Sequence, residues 1–243
     1  MIGGVVNVRL DKFISDSGIA SRRECAAAAK KGLITVGGVA VRDASVHIDP
    51  TSVSVVYMGR PVLYRKYTYV MLNKPEGYVS ATEDSRLPVV TELLTPELRK
   101  IELFPVGRLD RDTVGLMILT NNGQLAHTLL TPKRHVEKRY FFRCSEPLPI
   151  GVEERFLNGV TLADGYECKS ATIRLSEDRL SGEITLTEGK YHQIKRMIAA
   201  SGSRVTYLER ISFAELLLDG ALSRGEWRYL TEDEQAMLEA AAK

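Results

Sequence analysis

The sequence predicts an α+β protein in two parts. A small N-terminal module of two helices and a hairpin precedes a larger body built on a mostly antiparallel mixed sheet. Three observations carry this. The first 41 residues alternate helical spacing with glycine punctuation. From Tyr67 onward, strand-patterned runs outnumber helical ones. Charge divides at nearly the same place: residues 1–66 hold ten Lys/Arg against five Asp/Glu, a net of +5, whereas residues 67–243 hold 23 against 26, a net of −3. The four acids and one lysine from Thr231 onward account for that whole deficit.

In the first part, Leu10, Phe13 and Ile14 recur at helical spacing, which predicts a short helix over 10–17 that Gly18 ends. Ser21 stands three residues before Glu24, a capping box that starts a second helix through Lys31, closed by Gly32. Leu33–Val36 and Val39–Val41 read as strands joined by a tight turn at Gly37-Gly38. These elements gather Arg9, Lys12, Arg22, Arg23, Lys30 and Lys31. Such a cluster could neutralise several phosphates of a polyanion, and it could equally be a solvated helical surface.

The boundary is expected near residue 66. Tyr67–Leu72 is a strand pattern, and Asn73-Lys74-Pro75-Glu76-Gly77 reads as the loop after it. Gly115–Thr120 reads as a buried strand, Asn121-Asn122-Gly123 as a turn, and Gln124–Leu130 as a helix stopped before Pro132. Tyr140 falls in a strand over about 137–144. Residues 170–176 and 182–187 form a hairpin pair, and His192–Ser201 is an amphipathic helix with Ile194, Met197 and Ile198 on one face.

Composition excludes several classes. Hydrophobic residues are 44% and charged residues 26%, ordinary for a globular chain with a sizeable core. No run approaches the ~20 apolar residues of a membrane helix. Met1–Val8 has neither a basic region nor a long apolar stretch, so a secretory signal is not expected. Cys25, Cys144 and Cys168 are odd in number and scattered, which points to buried thiols in a reducing cytoplasm.

The densest polar constellation is Gly107-Arg108-Leu109-Asp110-Arg111-Asp112-Thr113-Val114-Gly115-Leu116. A carboxylate held there among arginines would keep the charge that a nucleophile or base requires, although an ion-paired turn has the same pattern. Asp110 and Asp112 are rivals for that role. No further acidic cluster lies nearby, so a hard metal is not expected.

Several separated stretches carry a resemblance. Arg9-Leu10-Asp11-Lys12-Phe13, Gly18–Arg23 and Gly32–Val36 resemble an S-four-type RNA-binding domain, with Gly37 where relatives usually carry Asn. Leu72-Asn73-Lys74-Pro75-Glu76-Gly77 resembles the first motif of pseudouridine synthases, and Gly107–Asp110 with Thr113, Gly115-Leu116 and Thr120–Gly123 resembles their central motif. Glu188–Met197 resembles their last. Pro132–Tyr140 and Tyr191-His192-Gln193 resemble the branch acting on small-subunit ribosomal RNA.

The resemblance implies a 1–66 RNA-binding domain and a 67–243 catalytic domain that isomerises a ribosomal RNA uridine to pseudouridine. The target base would be flipped into a pocket, and no cofactor is expected. Asp110 is implied as the catalytic carboxylate, by attack on the ribose carbon or by removing a ribose proton. Tyr140 would pack against the base and help move its carbon-bound proton. Lys195 stands where a basic residue pairs with the catalytic Asp, and Arg108 would position the nucleotide. Lys74 is grouped with Arg9, Lys12, Arg22, Arg23, Lys30 and Lys31 as RNA-binding, and His192 is read as RNA-facing or structural. A cytoplasmic monomer acting on ribosomal RNA is expected. The competing expectations are an RNA-binding assembly factor without activity, and the same activity on large-subunit RNA.

Overall fold

The computed structural model of the protein describes residues 7–50, 52–62 and 66–243. Most of the stretch read for a secretory signal, residues 1–6, lies outside them. The chain forms two compact units, one of residues 1–68 with 94–103 and one of residues 69–93 with 104–243.

In the first unit β1 (Val8–Arg9) leads into α1 (Leu10–Asp16) and α2 (Arg22–Lys30). The Ser21–Glu24 capping box forms in full at the start of α2. Then β2 (Ile34–Val36), β3 (Val39–Ala40), β4 (His47–Ile48), β5 (Val55–Tyr57) and β6 (Arg60–Val62) follow. A four-stranded sheet runs β3-β2-β5-β6, and β1 pairs with β4. Val36 faces Val39 across the hairpin, and the turn between them places Gly37 at φ 58° and Gly38 at φ 82°. Two positive φ values in a row are what a two-residue turn needs and what glycine supplies without strain. Leu10, Phe13, Ile14, Cys25, Ala29 and Ile34 form one core. The helix α3 (Pro96–Arg99) belongs to this unit. Its Glu97 carbonyl lies so near Gly18 that a Cβ there would meet it at 2.8 Å. Nothing local in 94–103 signals that attachment.

The second unit is built on nine strands: β7 (Tyr69–Lys74), β8 (Phe104–Pro105), β9 (Val114–Thr120), β10 (Lys138–Cys144), β11 (Ala171–Leu175), β12 (Ser181–Leu186), β13 (Val205–Phe213), β14 (Leu216–Leu217) and β15 (Trp227–Tyr229). The path is β11-β12-β10-β13-β9-β7-β15, with β14 on β13 and β8 on β9. Only β9 and β13 pair in parallel; the other pairings are antiparallel. Helices α4 (Gly123–Leu130), α5 (Val152–Asn158), α6 (Gln193–Ala200) and α7 (Glu232–Ala241) complete it. Tyr69 and Met71 of β7, and Leu116 and Ile118 of β9, point at two-residue spacing into one core shared with Leu125 and Leu129 of α4 and Leu238 of α7.

Two differences from the sequence reading matter. The strand read as ending at Leu72 continues through Asn73 and Lys74, because β7 stays paired with β9 from Tyr69↔Thr120 to Lys74↔Gly115. The acidic C-terminal stretch is a helix, started by a Thr231–Glu234 capping box. Its three acids in the first turn sit where a helix favours negative charge. All three cysteines are buried and free, and no described helix is long and apolar enough to cross a membrane.

Candidate active site

The loop 107–113 leaves β8 and enters β9, and it is held from behind. Lys74 is fully buried, and its ammonium donates to the carbonyls of Thr113 at 2.8 Å, Pro75 and Asp110 at 3.1 Å, and Arg111 at 3.3 Å. Ser80 Oγ donates to the Leu109 carbonyl at 2.8 Å and accepts from the Leu109 amide at 2.9 Å. The Gly77 amide donates to the Arg111 carbonyl at 2.9 Å. Burial pushes the Lys74 ammonium down to about 8, against the pull of Asp112 and Asp110.

Where the loop meets β9, Gly115 lies opposite Arg210 of β13. A Cβ on Gly115 would stand 2.4 Å from the Arg210 carbonyl, so only glycine allows the two strands to approach here. That parallel contact sets Asp110 beside the chain that β13 and α6 bring up.

The approach to α6 is fixed by buried polar pairing. Glu188 accepts from the Lys169 amide at 2.8 Å, the Tyr166 hydroxyl at 2.9 Å and the Gln193 side-chain amide, whose own oxygen accepts from the Lys190 amide at 2.9 Å. His192 takes the left-handed conformation at φ 49° and opens the helix. The first turn then presents Lys195 to Asp110 at 3.0 Å and to Asp112 at 2.5 Å. His192 Nε2 stands 3.6 Å from Asp110. Burial works against the Lys195 ammonium, but hydrogen bonds to the two carboxylates outweigh it and raise its pKa. Burial likewise opposes the Asp112 carboxylate, and the Lys195 hydrogen bond holds it below the usual range.

Asp110 lies at a pocket of about 350 Å³ that Arg108, Tyr140, Tyr191, His192 and Lys195 also line. That volume suits a small organic group such as a nucleobase. Tyr140 is buried on β10. Tyr191 is exposed and stacks on His192 at 3.8 Å between ring centres. No described cluster of His, Cys, Asp and Glu has the form of a metal site. A positioned carboxylate beside an ammonium, facing a pocket with a phenol on its wall, is equipped for nucleophilic or proton-transfer chemistry on a bound base.

A family model described as RNA pseudouridylate synthase matches residues 68–200. The chain belongs to the RNA pseudouridylate synthase family. A second model, the S4 domain, matches residues 8–53. The chain is 44% identical over 234 residues to the uncharacterized RNA pseudouridine synthase YtzG of Bacillus subtilis, covering 95% of this chain and 98% of the relative. It is 36% identical to ribosomal small subunit pseudouridine synthase A of Escherichia coli K12, covering 94% and 99%. A crystal structure of a pseudouridylate synthase superposes with a TM-score of 0.68 at 32% identity, covering 95% and 99%. This chain is thus an RNA pseudouridine synthase, an isomerase with an RNA substrate.

Set against the family's expected residues, the structure brings Asp110, Arg108, Tyr140 and Lys195 to one pocket. It does not leave Lys74 available to RNA: that side chain is 0% exposed and its ammonium is spent on four backbone carbonyls. Among the basic residues of the first unit, Arg22, Arg23, Lys30 and Lys31 are exposed, and none of the four forms an ion pair within the described residues. Arg9 and Lys12 are exposed too, but Arg9 is bound to Asp11 at 2.7 Å and Lys12 to Asp16 at 2.8 Å. His192, read as RNA-facing or structural, stands within ion-pair distance of Asp110. Arg210, which no local pattern singled out, is buried across the strand pair from Tyr140.

Proposed function

We propose that this synthase acts on a uridine of small-subunit ribosomal RNA, with residues 67–243 as the catalytic domain and residues 1–66 as an RNA-binding domain. Asp110 acts at the ribose of the flipped nucleotide, by attack on the anomeric carbon or by taking the neighbouring ribose proton. Lys195 balances its charge. Tyr140 packs against the base and helps move the proton on its carbon, and Arg108 positions the nucleotide. Arg22, Arg23, Lys30 and Lys31 grip phosphates. The enzyme works as a monomer in the cytoplasm. The observation that carries this reading is the Asp110 carboxylate, 28% exposed at the pocket and 3.0 Å from the Lys195 ammonium.

The small-subunit target is supported by full-length similarity to enzymes named for that subunit. Mapping pseudouridines in both ribosomal RNAs, with and without the protein, tests it. A site lost from small-subunit RNA alone is expected. A site lost only from large-subunit RNA would reassign the target, and no lost site would favour an assembly role.

A further inference from the structure

Arg210 is 1% exposed and heads the largest fully buried side chains. It sits on β13 directly across from Tyr140 on β10. Its Nε donates to the Leu116 carbonyl at 2.7 Å, an Nη touches Met117 Sδ at 3.9 Å, and the guanidinium stands 5.5 Å from the Phe213 ring. The Tyr140 oxygen is close enough for its charge to favour the Arg210 cation. Among the described residues no carboxylate reaches it, and burial pushes its pKa down.

A buried cation with no anion beside it is costly. Lys74 is a buried cation as well, and Lys138 a half-buried one, but their hydrogen bonds go to backbone carbonyls. Arg210 is the one of the three that stands across a strand pair from Tyr140, which lines the pocket. Groups whose ionisation is disturbed by burial gather at functional sites.

The isomerisation has a step that uses such a cation. Once the ribose carbon is bonded to C5 of the base, C5 still carries its hydrogen. As that proton leaves, the C–H electron pair becomes the C5=C6 π bond. The former C6=N1 pair moves onto N1, which takes up a proton. No oxidant or reductant is involved. An oxygen that accepts the C5 proton must carry negative charge as it does so. A guanidinium already held beside that oxygen stabilises the charge without reorganising.

We propose that Arg210 is a positioning residue for this reaction: set across the strand pair from Tyr140, it offsets the negative charge that the Tyr140 oxygen carries during proton removal at C5. The inference rests on Tyr140 acting at the base, as proposed above. Arg210 does not touch the substrate; it acts through the tyrosine.

The test uses the full chain and RNA carrying deuterium at C5 of the target uridine. Arg210→Met is expected to lower kcat on the order of 100-fold. It should also show a larger C5 isotope effect than the wild type, because proton removal becomes the slowest step. Arg210→Lys keeps the charge but loses the planar fork, so it should recover part of kcat and show an intermediate isotope effect. Added to Tyr140→Phe, Arg210→Met should cost no more than about threefold further, since both changes disable one unit. A wild-type isotope effect in Arg210→Met overturns the proposal. Should the Met variant not fold, a wild-type isotope effect in Arg210→Lys overturns it instead. Full additivity with Tyr140→Phe overturns it as well. Either result beside a Tyr140→Phe variant that is strongly slowed but still measurable removes Arg210 alone, whereas wild-type turnover in Tyr140→Phe removes the tyrosine's role together with it.

Discussion

Lys195 answers two carboxylates at once, Asp112 at 2.5 Å and Asp110 at 3.0 Å, yet the two acids differ in surroundings. The Asp112 side chain is 61% exposed and the Asp110 side chain 28%. On the proposed reading, the less exposed acid, which also lines the pocket, meets the flipped base. Asp110→Asn keeps size and hydrogen bonding but removes the anionic oxygen. Turnover should fall to background while RNA affinity in a mobility-shift titration stays near wild type; activity within about tenfold of wild type would shift the role to Asp112. Lys74 and Lys138 carry a different signature, since burial holds both at about 8. An unfolded lysine titrates near ~10.4, so between the two values the unfolded chain binds more protons than the folded one. Stability therefore rises with pH through that window. The rise amounts to about 2 kcal/mol for each lysine between roughly pH 7 and pH 9.5. Lys138→Met should remove about half of it, read as a flatter dependence of the urea midpoint on pH. At this scale the sequence was only partly legible. Asp110 and Lys195 stand in motifs whose spacing can be read directly. Lys74 and Arg210 were not readable as they are, because the burial of a cation is decided by strands far away in sequence.

Lys74 shows what an element contributes beyond its own residues. It ends β7, opposite Gly115 on β9, and from there its ammonium ties four carbonyls around the loop that carries Asp110. Lys74→Met would fill similar space and leave those buried acceptors without their donor. Leaving buried polar groups unpaired costs on the order of 1–3 kcal/mol each, so a stability loss of about 3 kcal/mol or more is expected by urea unfolding. Amide exchange at Gly77, Leu109 and Thr113 should quicken well before global unfolding. A variant whose exchange there is unchanged would show that the loop holds itself. The turn chemistry of Asn73-Lys74-Pro75 disguised this role, because Pro and Gly mark a loop without saying how far the preceding strand runs. Elements fixed by their own chemistry were legible: the Ser21–Glu24 capping box and the Gly37-Gly38 hairpin formed where their residues stand. Elements fixed by partners were not. The helix over 96–99 groups with the first unit through a contact at Gly18. The parallel contact of β9 with β13 depends on two strands about a hundred residues apart in sequence.

Across the whole chain, charge and pocket chemistry fall in different units. The pocket residues lie in the second unit, whereas Arg22, Arg23, Lys30 and Lys31 are exposed in the first. Deleting residues 1–66 would be a poor test of RNA gripping, because residues 94–103 pack with that unit and would lose their support. Neutralising side chains in place is cleaner. Arg22, Arg23, Lys30 and Lys31 stand at the two ends of a helix whose capping box and buried Cys25, Ala28 and Ala29 would remain. A variant with all four changed to Gln should therefore fold as before. If these cations meet phosphates, each phosphate pairing removed lowers the slope of log affinity against log salt by about 0.7–0.9. Two to four such pairings then give a drop of roughly 1.5 to 3.5 in that slope. Arg9 and Lys12 are left unchanged, since removing either would free the carboxylate it neutralises and add repulsion of its own. Because the pocket itself is untouched, kcat at saturating RNA should hold while KM rises, and more steeply at low salt than at high. An unchanged salt slope with a raised KM would mean that these residues act through the shape of the unit rather than by pairing with phosphate.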